Sequence, residues 1–359
     1  MKIFEKLNKK FKKKDYEIFI KFSVVILLIF VSANFLIYNL VVKNFLTGLD
    51  GDLSRLGYFP IGNSAKEFNP NFTKNVIKIG DWEGEMVDIL TIGDSFSQMN
   101  YQNYLSSLTG LNVVNIPTFK ELNSFETFVA AVNNGYIERL HPQVLIYESV
   151  QRYSSNLMTF DLNVYKKIDK LEMINYYERD NCNYVNNIPT KYHFINKVNF
   201  SYLKSLFNFY VNKNLKKNVF CTKLDNDYFT NKYSDILFYY NEDVEVLEYE
   251  TEENMMKLNN NLNTLSLILK QQGVEFYYMP VVDKYTLYRT HFKNNSLPTS
   301  KFFEKLRLLP RKYVLIDTQK IFQDKINSNV KDLYKSNDTH WSNIAQYDLA
   351  LELSRLIKR

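Results

Sequence analysis

Cysteine, histidine and glycine are scarce in this chain of 359 residues, which has two Cys, four His and ten Gly. Neither cysteine has the neighbouring Cys or His residues of a zinc site, and no glycine-rich loop is present to cradle a phosphate. The sequence therefore implies neither a metal nor an organic cofactor. In an oxidising compartment Cys182 and Cys221 can form a disulfide, whereas elsewhere they remain two thiols, and the sequence leaves both alternatives open.

A basic surface is also missing from the body of the chain. Residues 1–14 contain seven Lys and one Glu, which account for the whole net charge of +6, and the remaining 38 basic and 38 acidic residues balance. A nucleic-acid-binding protein needs a basic stripe on its folded domain rather than on a tail. The sequence therefore argues against a nucleic-acid partner.

One long apolar run follows the basic tail at residues 18–42, and Lys21 is its only charge. About 20 apolar residues span a bilayer as a helix, and a Lys-rich flank stays in the cytoplasm. A cleaved signal peptide that ends at Ala33 is the alternative, but the run continues to Val42, which is longer than a signal core. We therefore expect residues 1–17 to be a cytoplasmic tail and the run to be an uncleaved single-pass anchor, with the rest of the chain outside.

Apolar segments recur beyond a polar stalk at residues 43–85, at intervals that suit a parallel sheet. Five of them are predicted to be strands buried on both faces: residues 87–93, 112–116, 143–149, 274–282 and 313–318. Helical patterns lie between them at residues 96–108, 124–138 and 252–271. The second helix is expected to begin at a Ser124 cap.

This alternation predicts an α/β domain over residues 86–359, built on a doubly wound parallel sheet of about five strands. Sites in such folds form at the carboxyl ends of the strands. Residues 151–250 interrupt the alternation and are rich in Tyr, Asn and Lys. We interpret them as an insertion, which either shapes an acceptor groove or is a surface elaboration without a binding role.

The tripeptide Gly93-Asp94-Ser95 stands where the first predicted strand ends and a helical pattern begins. A serine at a sharp strand-to-helix turn is held out at the edge of the sheet, beside the free N–H groups of the helix. A nucleophile would lie there, but an ordinary turn also places small polar residues at such positions. Ser95 becomes a candidate only if the chain supplies a base.

Asp338 and His340 supply such a base just before the last predicted helix, which Ser342 can cap. Residues two apart in an extended segment project to the same side, so the carboxylate can approach the imidazole. His340 Nε2 would take the Ser95 proton, while Asp338 fixes the tautomer and stabilises the imidazolium. No carboxylate is expected to orient the other three histidines, which are His141, His193 and His291.

These motifs resemble those of the SGNH (GDSL-like) hydrolases, in which Gly-Asp-Ser stands near the start of an exported α/β domain and Asp-x-His near its end. The segment DTHWS is more narrowly similar to the alginate O-acetyltransferase and DHHW branch. Two further segments agree with that branch, VLIYESVQRY at residues 144–153 and VEFYYMPVVDKYTLY at residues 274–288. The resemblance implies an SGNH-like fold with a triad of Ser95, His340 and Asp338.

The chain departs from the broad SGNH pattern in its oxyanion donors, which are a Gly in the second block and an Asn in the third. The corresponding segments here are NIPTF and YESVQ, and only the Ser95 N–H carries over. Asn115 and Arg152 are the remaining candidates to complete the oxyanion hole. Trp341, next to His340, is the aromatic residue expected to stack on a sugar ring.

By resemblance, the expected function is transfer of an acetyl group to hydroxyls of an envelope or secreted polysaccharide through an acyl-serine intermediate. The same resemblance implies the inner (cytoplasmic) membrane of a bacterium, with the catalytic domain periplasmic or extracellular. The expected partners are the polysaccharide acceptor and a membrane-bound O-acyltransferase as acetyl donor, because soluble acetyl-CoA is absent outside the membrane. The alternatives are a carbohydrate esterase with the same triad, and a non-catalytic polysaccharide-binding or assembly protein, which the incomplete oxyanion hole favours.

Overall fold

The structure of the protein, a computed structural model, describes most of the chain. The described residues are 13–43, 51–62, 71–98, 100–118, 122–159, 194–212, 215, 218–294 and 296–357. Cys182 lies outside them, so the prediction that the two cysteines can form a disulfide also lies outside the described residues. Cys221 is half-buried, and burial raises the pKa of its thiol to about 12.

Six parallel strands form the central sheet, and two antiparallel strands form a separate hairpin. In chain order the strands are β1 (Ile77–Lys78), β2 (Ile89–Gly93), β3 (Val113–Pro117), β4 (Val144–Val150), β5 (Val219–Lys223), β6 (Ile236–Tyr240), β7 (Glu275–Val281) and β8 (Val314–Leu315). The large sheet has the order β1-β3-β2-β4-β7-β8, and β5 pairs with β6. The strand order reverses at β2, which lies between β3 and β4, and open α/β sheets bind ligands at the carboxyl ends of strands at such a point.

The predicted α/β class and parallel sheet are confirmed, with six strands instead of about five. All five predicted strands are present, and every residue of β2 is buried, as expected for a strand that is covered on both faces. The additional strand is β1, which pairs with β3 from within the predicted stalk. Its two residues are too few to leave a periodic pattern in the sequence.

Helices cover both faces of this sheet. The α-helices of the described residues are α1 (Lys13–Ile37), α2 (Asp52–Gly57), α3 (Tyr101–Thr109), α4 (Ser124–Asn133), α5 (Tyr136–Leu140), α6 (Ser154–Thr159), α7 (Lys197–Asn212), α8 (Glu242–Glu245), α9 (Glu252–Gln271), α10 (Lys284–Tyr288), α11 (Phe302–Leu308), α12 (Thr318–Asn327) and α13 (Asn343–Ile357). Glu148 of β4 contacts Ser97 just before α3, whereas its neighbour Tyr147 stacks on Phe128 of α4. Because successive side chains of a strand point to opposite faces, α3 and α4 lie on opposite sides of the sheet.

The helix predicted at residues 124–138 is two helices, α4 and α5. They are separated at Gly135, whose φ of +72° is incompatible with a continuous helix. The cap of α4 is Asn123 rather than Ser124, because the Asn123 side chain accepts from Glu126 N and the Glu126 carboxylate accepts from Asn123 N, each at 2.9 Å. This reciprocal capping box satisfies two N–H groups that a serine one position later would leave open.

The segment after α1 packs against the insertion in a second, smaller core. Its members are Leu53, Phe59, Ile61, Phe209, Leu215, Val219 and Phe238. The first three belong to the predicted stalk, and the others come from α7 and the β5–β6 hairpin or lie between them. Part of the predicted stalk is therefore folded onto the insertion, which brings α2 close to the main domain.

The N-terminal helix continues from α1 through a π-helical turn, Tyr38–Val42. Tyr16–Val42 are 27 residues in length and apolar enough to cross a membrane, and nearly all of their side chains are exposed. A helix that carries apolar side chains all round, most of them not covered by the rest of the protein, is typical of a membrane span. Its orientation remains a prediction.

Candidate active site

β2 ends in a tight turn, the 3-10 turn Ser95–Gln98, which presents Ser95 to solvent. Gly93 is required before the turn because the chain approaches Glu148 too closely for a side chain. A Cβ at this position would overlap Ser97 Oγ and Glu148 Oε2 and would lie 2.9 Å from Glu148 Cβ. The glycine therefore allows β2 to continue to the edge of the sheet while the next residues turn outward.

Asp94 fastens this turn to the end of β4. Its carboxylate accepts from Phe96 N at 3.0 Å and from Val150 N at 2.9 Å, and its own N–H donates to Glu148 Oε2 at 3.0 Å. Burial raises the pKa of Asp94, and burial together with the Asp94 charge raises the pKa of Glu148 well above its usual range. The hydrogen bonds of the two buried acidic residues, Asp94 and Glu148, hold the turn that carries Ser95 in place.

His340 and Asp338 reach Ser95 from the loop before α13. Ser95 Oγ lies 2.8 Å from His340 Nε2, and His340 Nδ1 lies 2.6 Å from Asp338 Oδ1. Ser342 caps α13 as predicted, since its Oγ accepts from Ile344 N at 3.2 Å. Ser95, His340 and Asp338, which the sequence predicts as a triad, thus lie together in the hydrogen-bonding order that a serine nucleophile requires.

The Asp338 carboxyl is held ionised by its histidine. Burial on its own would raise the pKa of Asp338, but the hydrogen bond and charge of His340 outweigh burial and lower this pKa below its usual value. Asp338 Oδ1 also accepts from the His340 backbone N–H at 3.0 Å. An ionised carboxylate in this place keeps the Nδ1 proton on the imidazole and leaves Nε2 free to accept one from Ser95.

A second carboxylate, Asp52 at the start of α2, faces the same loop, and no local signal in the sequence predicts this contact. Asp52 Oδ1 accepts from Thr339 N at 2.7 Å, its Oδ2 accepts from the Thr339 hydroxyl, and its N–H donates to Asp338 Oδ2 at 3.3 Å. Asp52 Oδ2 lies 3.7 Å from His340 Nδ1. Burial, and next the charge of Asp338, raises the pKa of Asp52.

Lys284 supports this loop from below and was also missed. It is fully buried, and its ammonium donates to the carbonyl oxygens of Lys335 at 2.7 Å, Ser336 at 3.0 Å and Asp338 at 3.2 Å. Burial lowers the pKa of Lys284 to about 7 against the opposing charges of Asp52 and Asp338. The segment VVDKY that carries Lys284 was already noted for its resemblance, but nothing local indicates that the lysine is buried.

Asn115 does not lie at the site. It pairs with Thr91 in the sheet, two residues before the end of β3, and its Oδ1 accepts from Thr91 Oγ1 at 2.8 Å. Two residues of a strand correspond to about 7 Å, which places this side chain inside the sheet and below the level of Ser95. The prediction of Asn115 as an oxyanion donor is therefore wrong, because its side chain is bonded to that of Thr91 on the face of the sheet.

Arg152 lies closer but is already engaged. Its Nη1 atom is 3.0 Å from Asp283 Oδ1 and 3.3 Å from Asp243 Oδ1, and its guanidinium lies over the Phe96 ring. Burial would lower the pKa of Arg152, but the two carboxylates raise it above its usual value. The group is a buried ion-pair cluster beneath the turn of Ser95, and its oxyanion role remains a prediction.

Trp341 is fully buried, so the prediction that it stacks on a sugar ring is corrected. Its indole packs edge-on against Phe96, Tyr101 and Phe322, with ring centroids 5.2, 5.8 and 6.3 Å away. It follows His340 directly, and both rings contact Phe96, the imidazole at a centroid distance of 4.7 Å and the indole at 5.2 Å. Trp341 thereby anchors the histidine loop in the core.

His291 differs from the expectation that His340 alone has a carboxylate. Its Nδ1 lies 3.6 Å from Asp225 Oδ2 and 2.7 Å from the hydroxyl of Tyr228. Its Nε2 faces the Gln323 amide at 3.1 Å. Both ring nitrogens are therefore occupied by polar side chains, which is typical of a structural histidine.

Asp52, Asp338 and His340 also have ligand atoms within 4.8 Å of one another, a spacing that a metal ion could use. Their donor atoms already have partners, since His340 Nδ1 faces Asp338 and both Asp52 oxygens accept from Thr339. A metal would have to displace the contacts that orient the imidazole. These residues fit a hydrogen-bonded relay better than a metal centre.

Comparisons with protein-family models, with curated proteins and with solved structures find no match to this chain.

Proposed function

We propose that this protein is a membrane-anchored O-acetyltransferase of the SGNH type, which transfers an acetyl group to a hydroxyl of an envelope or secreted polysaccharide. The observation that carries the proposal is the relay of Ser95, His340 and Asp338, with contacts of 2.8 and 2.6 Å and an exposed serine at its end. The similarity of GDS and DTHWS to the SGNH motifs supports the choice of acyl transfer. The narrower similarity of DTHWS to the alginate O-acetyltransferase branch supports acetyl as the acyl group and a polysaccharide as the acceptor.

In the first half of the reaction Ser95 Oγ attacks the carbonyl carbon of the acetyl donor while His340 Nε2 accepts the hydroxyl proton. The bond from this carbon to the leaving group then breaks, and the imidazolium returns the proton to the leaving group. In the second half the acceptor hydroxyl gives its proton to His340 and its oxygen attacks the carbonyl carbon of acetyl-Ser95. The bond from this carbon to Ser95 Oγ then breaks, and the proton returns to Ser95 Oγ. Asp338 stabilises the imidazolium in both halves.

The developing oxyanion requires donors that are already in place. Ser95 is the first residue of its 3-10 turn, where backbone N–H groups have no acceptor within the turn. Its N–H is therefore available to the oxyanion. This donor is the one that the resemblance to SGNH proteins also assigns.

The short link between the site and the apolar helix supports a donor within the membrane. Lys43 ends the helical segment and Asp52 already contacts the histidine loop. Nine residues of extended chain span at most about 30 Å, so the site lies within that distance of the end of the helix. An acetyl donor delivered by a membrane-bound O-acyltransferase would reach Ser95 over this distance. With the basic N-terminal tail in the cytoplasm, the catalytic domain faces the periplasm or cell exterior.

The proposal is tested with the full chain purified in detergent, a chromogenic acetyl ester and intact-mass analysis. We expect turnover and an acetyl adduct for the wild type, and loss of turnover for Ser95→Ala and His340→Ala. Ser296→Ala, which changes an exposed serine of a surface turn, serves as the matched control and should behave as the wild type.

An oligosaccharide acceptor then separates the two enzymatic outcomes. Acetylated sugar formed in preference to free acetate supports the transferase, whereas release of acetate alone identifies an esterase. If the wild type neither turns over nor becomes labelled, the catalytic proposal is refuted, and a binding or assembly role takes its place.

A further inference from the structure

Helix α7 exposes a large apolar face, which is unusual for a helix of a soluble domain. Its outward side chains are large and apolar, and 45–63% of their surface is exposed: Phe200, Leu203, Phe207, Tyr210 and Val211. Its buried side chains are of both kinds, the apolar Val198 and Phe209 and the polar Asn199, Ser205 and Asn208. A surface helix in water buries its apolar stripe and exposes its polar one.

The exposed apolar residues form one stripe rather than scattered positions, and the exposed Lys204 lies on the same face, with a stem long enough to carry its ammonium to the headgroup region. Residues 200, 203, 207, 210 and 211 recur at the three- and four-residue spacing of one helix face. Contiguous apolar patches of this kind mark a contact with another protein or with a membrane. The remaining question is which of the two covers this face.

The contacts of α7 with the apolar N-terminal helix point to the membrane. Asn199 Nδ2 donates to Asn34 Oδ1 at 2.9 Å, and the ring of Phe200 lies 6.4 Å from that of Phe30. Asn34 precedes Val42, the end of the apolar segment, by about 12 Å along the helix axis at about 1.5 Å per residue. The start of α7 is therefore alongside the apolar segment and not beyond its end.

We propose that α7 is embedded in the outer leaflet of the membrane, with the stripe of Phe200, Leu203, Phe207, Tyr210 and Val211 against lipid acyl chains, an inference that rests on the proposed membrane anchoring of Tyr16–Val42. The hydrogen bond from Asn199 Nδ2 to Asn34 Oδ1 then joins the two helices in an apolar layer, as polar residues between membrane helices do.

This arrangement fixes the candidate active site at the membrane surface. Phe209 of α7 stacks on Phe59, with ring centroids 4.4 Å apart, and Phe59 lies just after α2, whose first residue is Asp52. Asp52 in turn holds Thr339 in the histidine loop. An embedded α7 therefore acts as a second attachment to the bilayer, and it limits how far the site can swing from a donor in the membrane.

The test uses the full chain reconstituted alone in phosphatidylcholine vesicles, with and without bromine on the acyl chains as a fluorescence quencher. Phe207→Trp and, as a second position, Tyr210→Trp place an indole on the stripe. Leu308→Trp is the matched control, because Leu308 is a large apolar residue on the sheet domain that is 82% exposed. The parent chain is measured in parallel to subtract the emission of Trp82 and Trp341.

We expect brominated lipid to quench the added emission of both stripe variants and to leave that of L308W unchanged. Carbonate extraction of the same vesicles reports separately on the anchor. If the chain resists extraction and the stripe variants are not quenched more than L308W, the embedded helix is refuted while the anchor stands, and a protein partner would have to cover the face. If carbonate releases the chain, the anchor and the embedded helix are both refuted, whereas the acetyl-ester assay still decides the proposed chemistry.

Discussion

Two carboxylates flank His340, and replacing each by its amide distinguishes their roles. The changes are Asp338→Asn and Asp52→Asn, which are nearly isosteric and remove one negative charge each. Asp338 Oδ1 lies 2.6 Å from His340 Nδ1, and Asp52 Oδ2 lies 3.7 Å from it. The first distance is a hydrogen bond and the second is too long to be one.

Charge alone separates the two only weakly. At an effective dielectric constant of about 20, attraction to the imidazolium is about 6 kcal/mol at the shorter distance and about 4 kcal/mol at the longer one, before solvent screening. The tautomer separates them strongly, since an amide N–H of D338N turned towards Nδ1 would move the imidazole proton to Nε2. We therefore expect D338N to lower the rate of acetyl-ester turnover about 10⁴-fold, equivalent to about 5 kcal/mol.

For D52N we expect a loss of about tenfold, because partly screened charge is lost while the hydrogen bond to Asp338 remains. Turnover of the acetyl ester is measured for both variants alongside thermal unfolding, so that a loosened histidine loop is recognised as a lower Tm. The reasoning is refuted if D338N keeps more than a tenth of wild-type activity at an unchanged Tm. It is equally refuted if both amides reduce turnover by the same factor.

Three further predictions concern the support of the site. Gly93→Ala should destabilise the fold by about 1–3 kcal/mol, because the added Cβ overlaps Ser97 and Glu148, and unfolding in urea that matches the wild type would contradict this close approach. Burial raises the pKa of Glu148, so between its usual pKa and the raised one the native state holds a proton that the unfolded state has released. The free energy of unfolding therefore falls as pH rises through this range. Glu148→Gln should remove this slope from a plot of Tm against pH. Burial lowers the pKa of Lys284 from 10.5 to about 7, so between these values the unfolded state binds one proton more than the native state. The stability of the wild type should therefore rise from pH 7 to 9 relative to that of Lys284→Met, by up to about 1.4 kcal/mol per pH unit. Parallel curves of Tm against pH for the two proteins would exclude a neutral buried lysine.

Local sequence was sufficient for the parts of the fold with strong periodicity. The buried strands and the helix α9 carry long apolar patterns, and the capping serine before α13 also leaves a local signal. The predicted relay is local in one half, because Asp338 and His340 are two residues apart. Its other half depends on the general rule that sites lie at the carboxyl ends of strands.

The unpredicted features are those decided by packing between distant segments. Asp52 meets Thr339 across 287 positions of the chain, and nothing near Asp52 in the sequence indicates this contact. Burial of the Lys284 ammonium is equally non-local, since its three carbonyl partners lie 51 to 54 residues away. The exposure predicted for Trp341 from its place next to His340 is wrong, because the indole packs against Phe96, Tyr101 and Phe322 from other segments of the chain.

Because Ser95 and His340 are 245 positions apart, the relay cannot form until the ribosome has synthesised the chain as far as His340. During synthesis, β2 and its serine emerge first, and His340 follows only 245 positions later. Until then Ser95 is an ordinary alcohol, since its hydroxyl has no base to accept the proton. Ser95 of the nascent chain is therefore not activated until the loop that carries Asp338 and His340 has folded against the turn after β2.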